Sequence, residues 1–449
     1  MQPRAIGARA RAWPGRCGGW ARASVTVALL VLLLSVSGCQ APPTPTRIPA
    51  PSATPMSSLP QGGSAGIAYL IAAPPFKKGE PPAYRDLYAV RLSNGRMLWR
   101  QRFGPQDGVF PLADERVLYL GSGSEQPGGQ GRIAALRASD GQVIWRSALQ
   151  AGAVVPLVAS GNAVFVEALS PATDAVPPYQ PDAIEALRAS DGALLWKVPE
   201  TSGAWATLGN GVLYLTPIIQ GATPSQTTYL LVALDTSTGK LLWQITLPRP
   251  QSYYQAAVLS NGVLFMTPQQ TTLHGSTPAT ALLAVRASNG QVLWQATTPG
   301  LARGSPVVVA DGAVCYLADA PFSPASGIVA LHTQDGSLSW QFFSQSSQPF
   351  LLLPSGGVLY ALSETLQTTS YQERLDAYAM SDGSHLSRIP LPSSDGLGLM
   401  QVADGVFYGV VDTPNATAAL VISLKASDGS LNWRYQIAGE HVQSLLVAP

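Results

Sequence analysis

Ala233-Leu234-Asp235-Thr236-Ser237-Thr238-Gly239-Lys240-Leu241-Leu242-Trp243 decides the fold of this chain, because the same pattern recurs along it. Equivalent glycines stand at Gly95, Gly141, Gly192, Gly239, Gly290, Gly336, Gly383 and Gly429, separated by 46 to 51 residues. The residue before each is Asn94, Asp140, Asp191, Thr238, Asn289, Asp335, Asp382 or Asp428. Four residues after the glycine come Trp99, Trp145, Trp196, Trp243, Trp294, Trp340, then Ser387, then Trp433. A fixed period of this length marks a repeat architecture in which each unit buries its apolar faces against its neighbours.

Each element of the repeat has a local reason. Asn-Gly and Asp-Gly between apolar runs supply positive φ angles for a tight hairpin turn, so two antiparallel strands are expected to meet there. The strand before the turn is typified by Ile133-Ala134-Ala135-Leu136-Arg137-Ala138 and the strand after it by Gln142-Val143-Ile144-Trp145. Six residues before the glycine the side chain is small, as at Ala89, Ala135, Ala186, Ala233, Ala284, Ala330, Ala377 and Ser423. Such a residue leaves room for a large ring, and one indole per repeat packed against it is expected to fasten blade to blade. A second hairpin precedes the first, seen best in Ser305-Pro306-Val307-Val308-Val309-Ala310-Asp311-Gly312-Ala313-Val314-Cys315-Tyr316-Leu317. Four strands per unit, eight times over, predict an all-β, eight-bladed β-propeller of four-stranded antiparallel blades spanning 64–449. The first unit starts at Gly66-Ile67-Ala68-Tyr69-Leu70, already a second strand, and Gln443-Ser444-Leu445-Leu446-Val447-Ala448 reads as a first strand with nothing after it. The C-terminal strand is therefore expected to complete the first blade.

The quoted segment also resembles the tryptophan-docking repeat of the PQQ-like propellers, A-x-D-x-x-T-G-K-x-x-W; the other seven copies are looser but in register. That family includes quinoprotein alcohol dehydrogenases and the BamB lipoproteins of the outer-membrane β-barrel assembly machine. The resemblance implies the fold, and function has to be read from sites. Members of the enzymatic branch resemble one another in a vicinal Cys-Cys disulfide over the quinone, a calcium held by carboxylate and amide side chains, and an aspartate base. This chain has no Cys-Cys pair, and Asp140, Asp191, Asp335, Asp382 and Asp428 occupy turns, where such side chains cap local backbone. His274, His332, His385 and His441 show no metal-ligand spacing. Gly62-Gly63-Ser64-Ala65-Gly66 fits G-x-S-x-G, but lies before the first strand rather than on the strand-to-helix turn a serine nucleophile needs. No catalytic residue, cofactor or metal site is assigned, and the chain reads as non-enzymatic.

The ends and the composition set the compartment. Arg4, Arg9, Arg11, Arg16 and Arg22 precede the apolar run Val27 to Leu34, and the segment closes at Val36-Ser37-Gly38-Cys39. This reads as a lipoprotein signal peptide over 1–38, with Cys39 lipidated and forming the mature N-terminus. Residues 39–63 are rich in Pro, Ser and Thr and read as an extended tether. Removing the five signal arginines leaves 22 basic against 26 acidic residues, with no basic face to hold nucleic acid. Charged residues are only 12%, while Gly and Pro together number 81, as many short strands and turns require. Cys315 has no internal partner for a disulfide and sits in an apolar strand, so it reads as a small hydrophobe. The expected location is extracytoplasmic, on the periplasmic side or the cell surface, with a monomeric propeller held to the membrane only through its lipid.

Binding is then the remaining function. Strand alternation puts the short turns on one face and the longer connections on the other, where specificity belongs. Phe76, Tyr84, Tyr179, Trp205, Tyr253 and Tyr254 lie in those connections beside prolines, a composition suited to a protein or glycan surface. The first reading is a scaffold for another envelope protein. The second is a small-ligand or glycan receptor using the channel or the loop face, and a PQQ-dependent dehydrogenase comes third.

Overall fold

A computed structural model of the chain describes residues 66–448 except for the short stretches 76–81, 105–108, 115, 124–130, 150, 172–178, 200–204, 220–225, 249–253, 255–256, 269–279, 298–300, 303–306, 321–322, 324, 367–370, 390, 392–396 and 413–417. The signal segment, Cys39 and the tether lie outside the described residues.

Every described element is a strand, and the strands form eight antiparallel sheets. In each blade the strands run A to D from the inside outward. The seventh, for example, orders Ser347–Ser355, Val358–Leu366, Tyr371–Ala379 and His385–Ile389. In the fourth and sixth blades one position is split into two short strands. Each A strand touches the A strands of the blades before and after it, so the eight close into a ring. Closure works as the sequence implies: His441–Ala448 pairs antiparallel with Ile67–Ala73, from Ile67 opposite Ala448 to Ala73 opposite His441, and becomes the A strand of the first blade.

Burial explains why the strands differ in composition. The B and C strands are covered on both faces by neighbouring blades, so Ala313–Asp319 and Ser326–His332 are nearly continuous apolar runs. The core is accordingly divided into eight clusters, one per seam. The D strands form the outer rim and bury only alternate residues, as in Leu194–Pro199. In all eight blades the C–D pairing slips by one residue just after the small-residue position; Ala89 faces Trp99 and Val90 faces Met97, leaving Leu98 bulged. The bulge turns the tryptophan inward and leaves the aliphatic pair before it, such as Leu194-Leu195 and Leu241-Leu242, exposed on the rim.

The two hairpins of a blade use different turns. At the A–B corners Asn210-Gly211, Asn261-Gly262, Asp311-Gly312 and Asp404-Gly405 take positive φ at both residues, the geometry of a type I′ turn. At the C–D corners only the glycine is positive, which corrects the expectation that both residues would be. There the chain makes a wider loop, Gly95 N–H donating to the Arg91 carbonyl at 2.9 Å, and the Asx side chain turns back on its own backbone. Asn94, Asp140, Asp191, Asn289, Asp335, Asp382 and Asp428 each accept a bond from the amide two residues on at 2.9–3.1 Å, with the Thr238 hydroxyl taking that place at 3.3 Å.

The indole seats differ from expectation in one respect. The small residue six before the glycine faces the tryptophan of its own blade across the C–D pair. The docking surface on the neighbour is the turn glycine itself. Trp99, Trp145, Trp196, Trp243, Trp294 and Trp340 each lie over the glycine of the next blade, and Trp433 lies over Gly95 of the first. A Cβ on any of these glycines would come within 2.5–2.8 Å of ring carbons. Each indole N–H donates to the carbonyl three residues before that glycine, at 2.6–3.0 Å, with acceptors Ala138, Ala189, Thr236, Ala287, Thr333, Met380 and Leu92. Within the blade the ring tilts against a B-strand aromatic such as Tyr69, Tyr119 or Phe165, with centroids 5.7–6.0 Å apart.

Candidate functional site

Because A–B and C–D turns occupy one face, the B–C and D–A connections share the other. Of the aromatic residues expected to present a binding surface there, Phe76 and Tyr253 lie outside the described residues. Tyr179 begins the strand Tyr179–Arg188 opposite Pro171. Trp205 is half-buried, its carbonyl accepting the Thr216 amide at 3.2 Å. Tyr254 is a correction. It is only 3% exposed, its ring packs edge-on against Tyr229, and its hydroxyl donates to the Pro248 carbonyl at 2.8 Å. An amphipathic ring with its hydroxyl so satisfied braces the connection from inside and is not offered to a partner.

Tyr84 belongs to a cluster that the sequence does not announce. It is half-buried beneath the Arg102 guanidinium, whose carbon stands 3.6 Å from the ring centre. Arg102 donates to Asp86 through Nε and Nη2 at 2.9 and 2.8 Å, a bidentate pair. Arg100 bridges Asp86 and Glu440, the latter at 3.0 Å, and Tyr88 donates its hydroxyl to Glu440 at 2.8 Å. Glu440 comes from the connection between the last D strand, Leu431–Ala438, and the closing A strand, so the cluster pins the closure of the ring. Two buried carboxylates share two guanidinium groups here. Burial works to raise the Asp86 pKa, but the Arg102 and Arg100 bonds outweigh it and hold it below the usual range. For Glu440 burial dominates and the neighbouring Asp86 adds to it, pushing its pKa up to about 7.

A third buried carboxylate, Asp376, accepts bonds from Arg374 at 2.7 Å, His385 at 3.1 Å and Arg388 at 3.1 Å. Burial works to raise its pKa, and the His385 and Arg388 bonds override that. Asp86, Glu440 and Asp376 thus each tie neighbouring segments together. Cys315 is fully buried and burial pushes its thiol up to about 12, which removes the thiolate a nucleophile or ligand needs. Among the described residues no group of three or more His, Cys, Asp and Glu side chains could hold a metal ion, and no helix is long and apolar enough to cross a membrane.

Of these clusters, sequence reasoning could have flagged Asp86 and Asp376, each a carboxylate inside an apolar strand. Nothing marks Glu440, whose partners lie about 340 residues earlier.

Comparison with known proteins completes the picture. In Yersinia pestis the outer membrane protein assembly factor BamB is 26% identical over 254 residues, covering 52% of this chain and 60% of that protein, so the chain spans less than two thirds of its relative. AztD from Citrobacter koseri, in its apo form, superimposes with a TM-score of 0.52 at 11% identity, over 86% of this chain and 98% of that one. The dihydro-heme d1 dehydrogenase NirN superimposes with a TM-score of 0.56 at 11% identity, over 85% and 75%. Both likenesses concern the fold alone. The family model described as outer membrane protein assembly factor BamB matches residues 84–253, 180–348 and 230–404, which together span most of the ring, and the chain belongs to that family.

Proposed function

We propose that this chain is a non-enzymatic, lipid-anchored scaffold of the bacterial cell envelope that binds another envelope protein through the face built from its B–C and D–A connections. The family match across residues 84–404 carries this reading. The repeat aspartates Asp140, Asp191, Asp335, Asp382 and Asp428 each cap the backbone of their own turn, which supports it. Geometry adds an orientation. The strand at Ile67 and the strand ending at Ala448 pair where the first blade's A–B turn would stand, so Ile67 lies on the short-turn face, which supports an anchor on that side.

Affinity isolation of the lipidated full chain from detergent-solubilised membranes, after cross-linking, tests this. One envelope protein should be captured in stoichiometric amount, and Trp205→Ala combined with Tyr84→Ala should reduce capture at least tenfold while the far-ultraviolet spectrum stays unchanged. No captured partner, or undiminished capture by the double variant, refutes it; so does dye-linked dehydrogenase turnover after addition of PQQ and calcium.

A further inference from the structure

The near-balance of charge along the sequence conceals an uneven distribution around the ring. The outer half of each blade is its C–D hairpin. In the eighth, first and second blades, which stand side by side because the C-terminal strand closes the ring, those hairpins are 418–438, 85–103 and 132–148 and hold ten Lys and Arg residues against three Asp. The five remaining hairpins, 179–199, 228–246, 280–297, 326–344 and 371–389, hold six Lys and Arg against eight Asp and Glu. The three Asp of the basic sector are engaged within it. Asp86 is buried under Arg100 and Arg102, Asp140 pairs with Arg137 at 3.0 Å, and Asp428 caps the Ser430 amide at 2.9 Å. Arg91, Arg96, Arg132, Arg146, Lys425 and Arg434 are left over: all six are exposed, and none forms an ion pair among the described residues. In the other five hairpins only Lys240 and Arg286 are in that condition.

One repeat position shows the same asymmetry by itself. The residue after the docking position is Arg388, Arg434, Arg100, Arg146 and Lys197 in five successive blades, from the seventh round to the third, and then Gln244, Gln295 and Gln341 in the fourth to sixth. No D strand carries Asp or Glu in any blade. Beside these cations the rim exposes Val143, Ile144 and Leu431. The arc is centred on the first blade, and that is the blade which the chain coming from Cys39 enters at Ile67.

We infer that the outer wall of the eighth, first and second blades docks on an anionic lipid surface. The six unpaired cations stand on three separate blades of a convex wall, so they cannot converge on one small anion; an extended layer of phosphate headgroups meets them all. Cations interspersed with exposed aliphatic side chains, with no free carboxylate between them, are what such a surface attracts. The choice of a bilayer as the occupant rests on the anchored reading above, because a tether entering at the first blade holds this sector nearest the membrane. The acyl chain is then not the only hold on the membrane, and a single chain by itself gives marginal, reversible attachment.

Sedimentation with vesicles tests it, using the chain from residue 39 onward with Cys39→Ser so that no acyl group contributes. Vesicles of phosphatidylcholine and phosphatidylglycerol should bind this chain, and vesicles of phosphatidylcholine alone should not. Added salt should release it. Arg96→Gln, Arg146→Gln and Arg434→Gln together should weaken binding about a hundredfold, roughly fivefold for each cation, with the melting temperature unchanged. Lys240→Gln with Arg286→Gln, on the far side of the ring, should leave binding as it was. Equal binding to both kinds of vesicle, or a triple variant that binds like the parent, overturns the inference. Tighter binding to polyglutamate than to the anionic vesicles overturns it as well, since the sector then fits an acidic protein. Incorporation of a fatty-acid analogue into the unaltered chain in cells reads the anchor separately, so failure of the docking surface and failure of the anchored reading are told apart.

Discussion

Replacing Gly192 by alanine separates two costs that the repeat combines. Gly192 has φ 73°, and a Cβ there would lie 2.5, 2.7 and 2.9 Å from three carbons of the Trp145 ring. Gly262, on an A–B turn, has φ 75° and nothing within 4 Å of the same added atom. Both variants incur the strain of an L-residue in the left-handed region, about 1–2 kcal/mol. Only Gly192→Ala must also push an indole outward by about 1 Å, which breaks the Trp145 N–H bond to the Ala189 carbonyl and loosens the ring's packing. Overpacking costs about 1–3 kcal/mol and the lost bond about 1 kcal/mol. The total for Gly192→Ala is then about 3–6 kcal/mol against about 1–2 kcal/mol for Gly262→Ala. Urea unfolding followed by far-ultraviolet circular dichroism gives the two midpoints. Hydrogen exchange on Val143–Ala148 and Leu194–Pro199 shows whether the loss is confined to that seam, as nearest-neighbour stability in a repeat ring requires. Trp145→Leu combined with Gly192→Ala should cost clearly less than the sum of the single changes. Equal midpoints for Gly192→Ala and Gly262→Ala would refute the claim that the glycine is needed as an indole platform.

Two further outcomes follow from buried groups. Glu440 has a folded pKa raised to about 7, so its contribution to stability is fully present below the unfolded value near 4.5 and is lost as pH rises toward and through 7. Asp86 acts oppositely, its contribution present above about 3.8 and lost as pH falls through its depressed value. Thermal melts should therefore weaken between about pH 5 and 8, and Glu440→Gln should flatten that slope; an unchanged slope would count against the closure cluster as its source. Cys315, in a variant carrying Cys17→Ser and Cys39→Ser, should resist a thiol reagent at pH 8 in the native ring and react once the chain is unfolded. Rapid labelling of the native protein would contradict its burial.

The sequence by itself determined the repeat, the two hairpins per blade, the number of blades and the closing strand, because each rests on local information. Eleven residues carry a strand end, a capped turn, a bulge and an inward ring, and a strand's apolar period tells which faces are covered. It also singled out Ser387 as the odd copy. What the local pattern could not carry was the partner of each contact across a seam. An indole reaches a glycine and a carbonyl about 40 residues on, and at closure 341 residues back, so alanine and glycine were indistinguishable as docking surfaces until the blades stood side by side. The same distance in sequence hid the Asp86, Arg100 and Glu440 cluster. Tyr254 shows the converse: a connection residue with a loop composition folds inward because its hydroxyl finds the Pro248 carbonyl and its ring finds Tyr229. Turn chemistry is short-range and legible in the chain, whereas burial of a loop aromatic and pairing of distant charges depend on which surfaces the closed ring brings together.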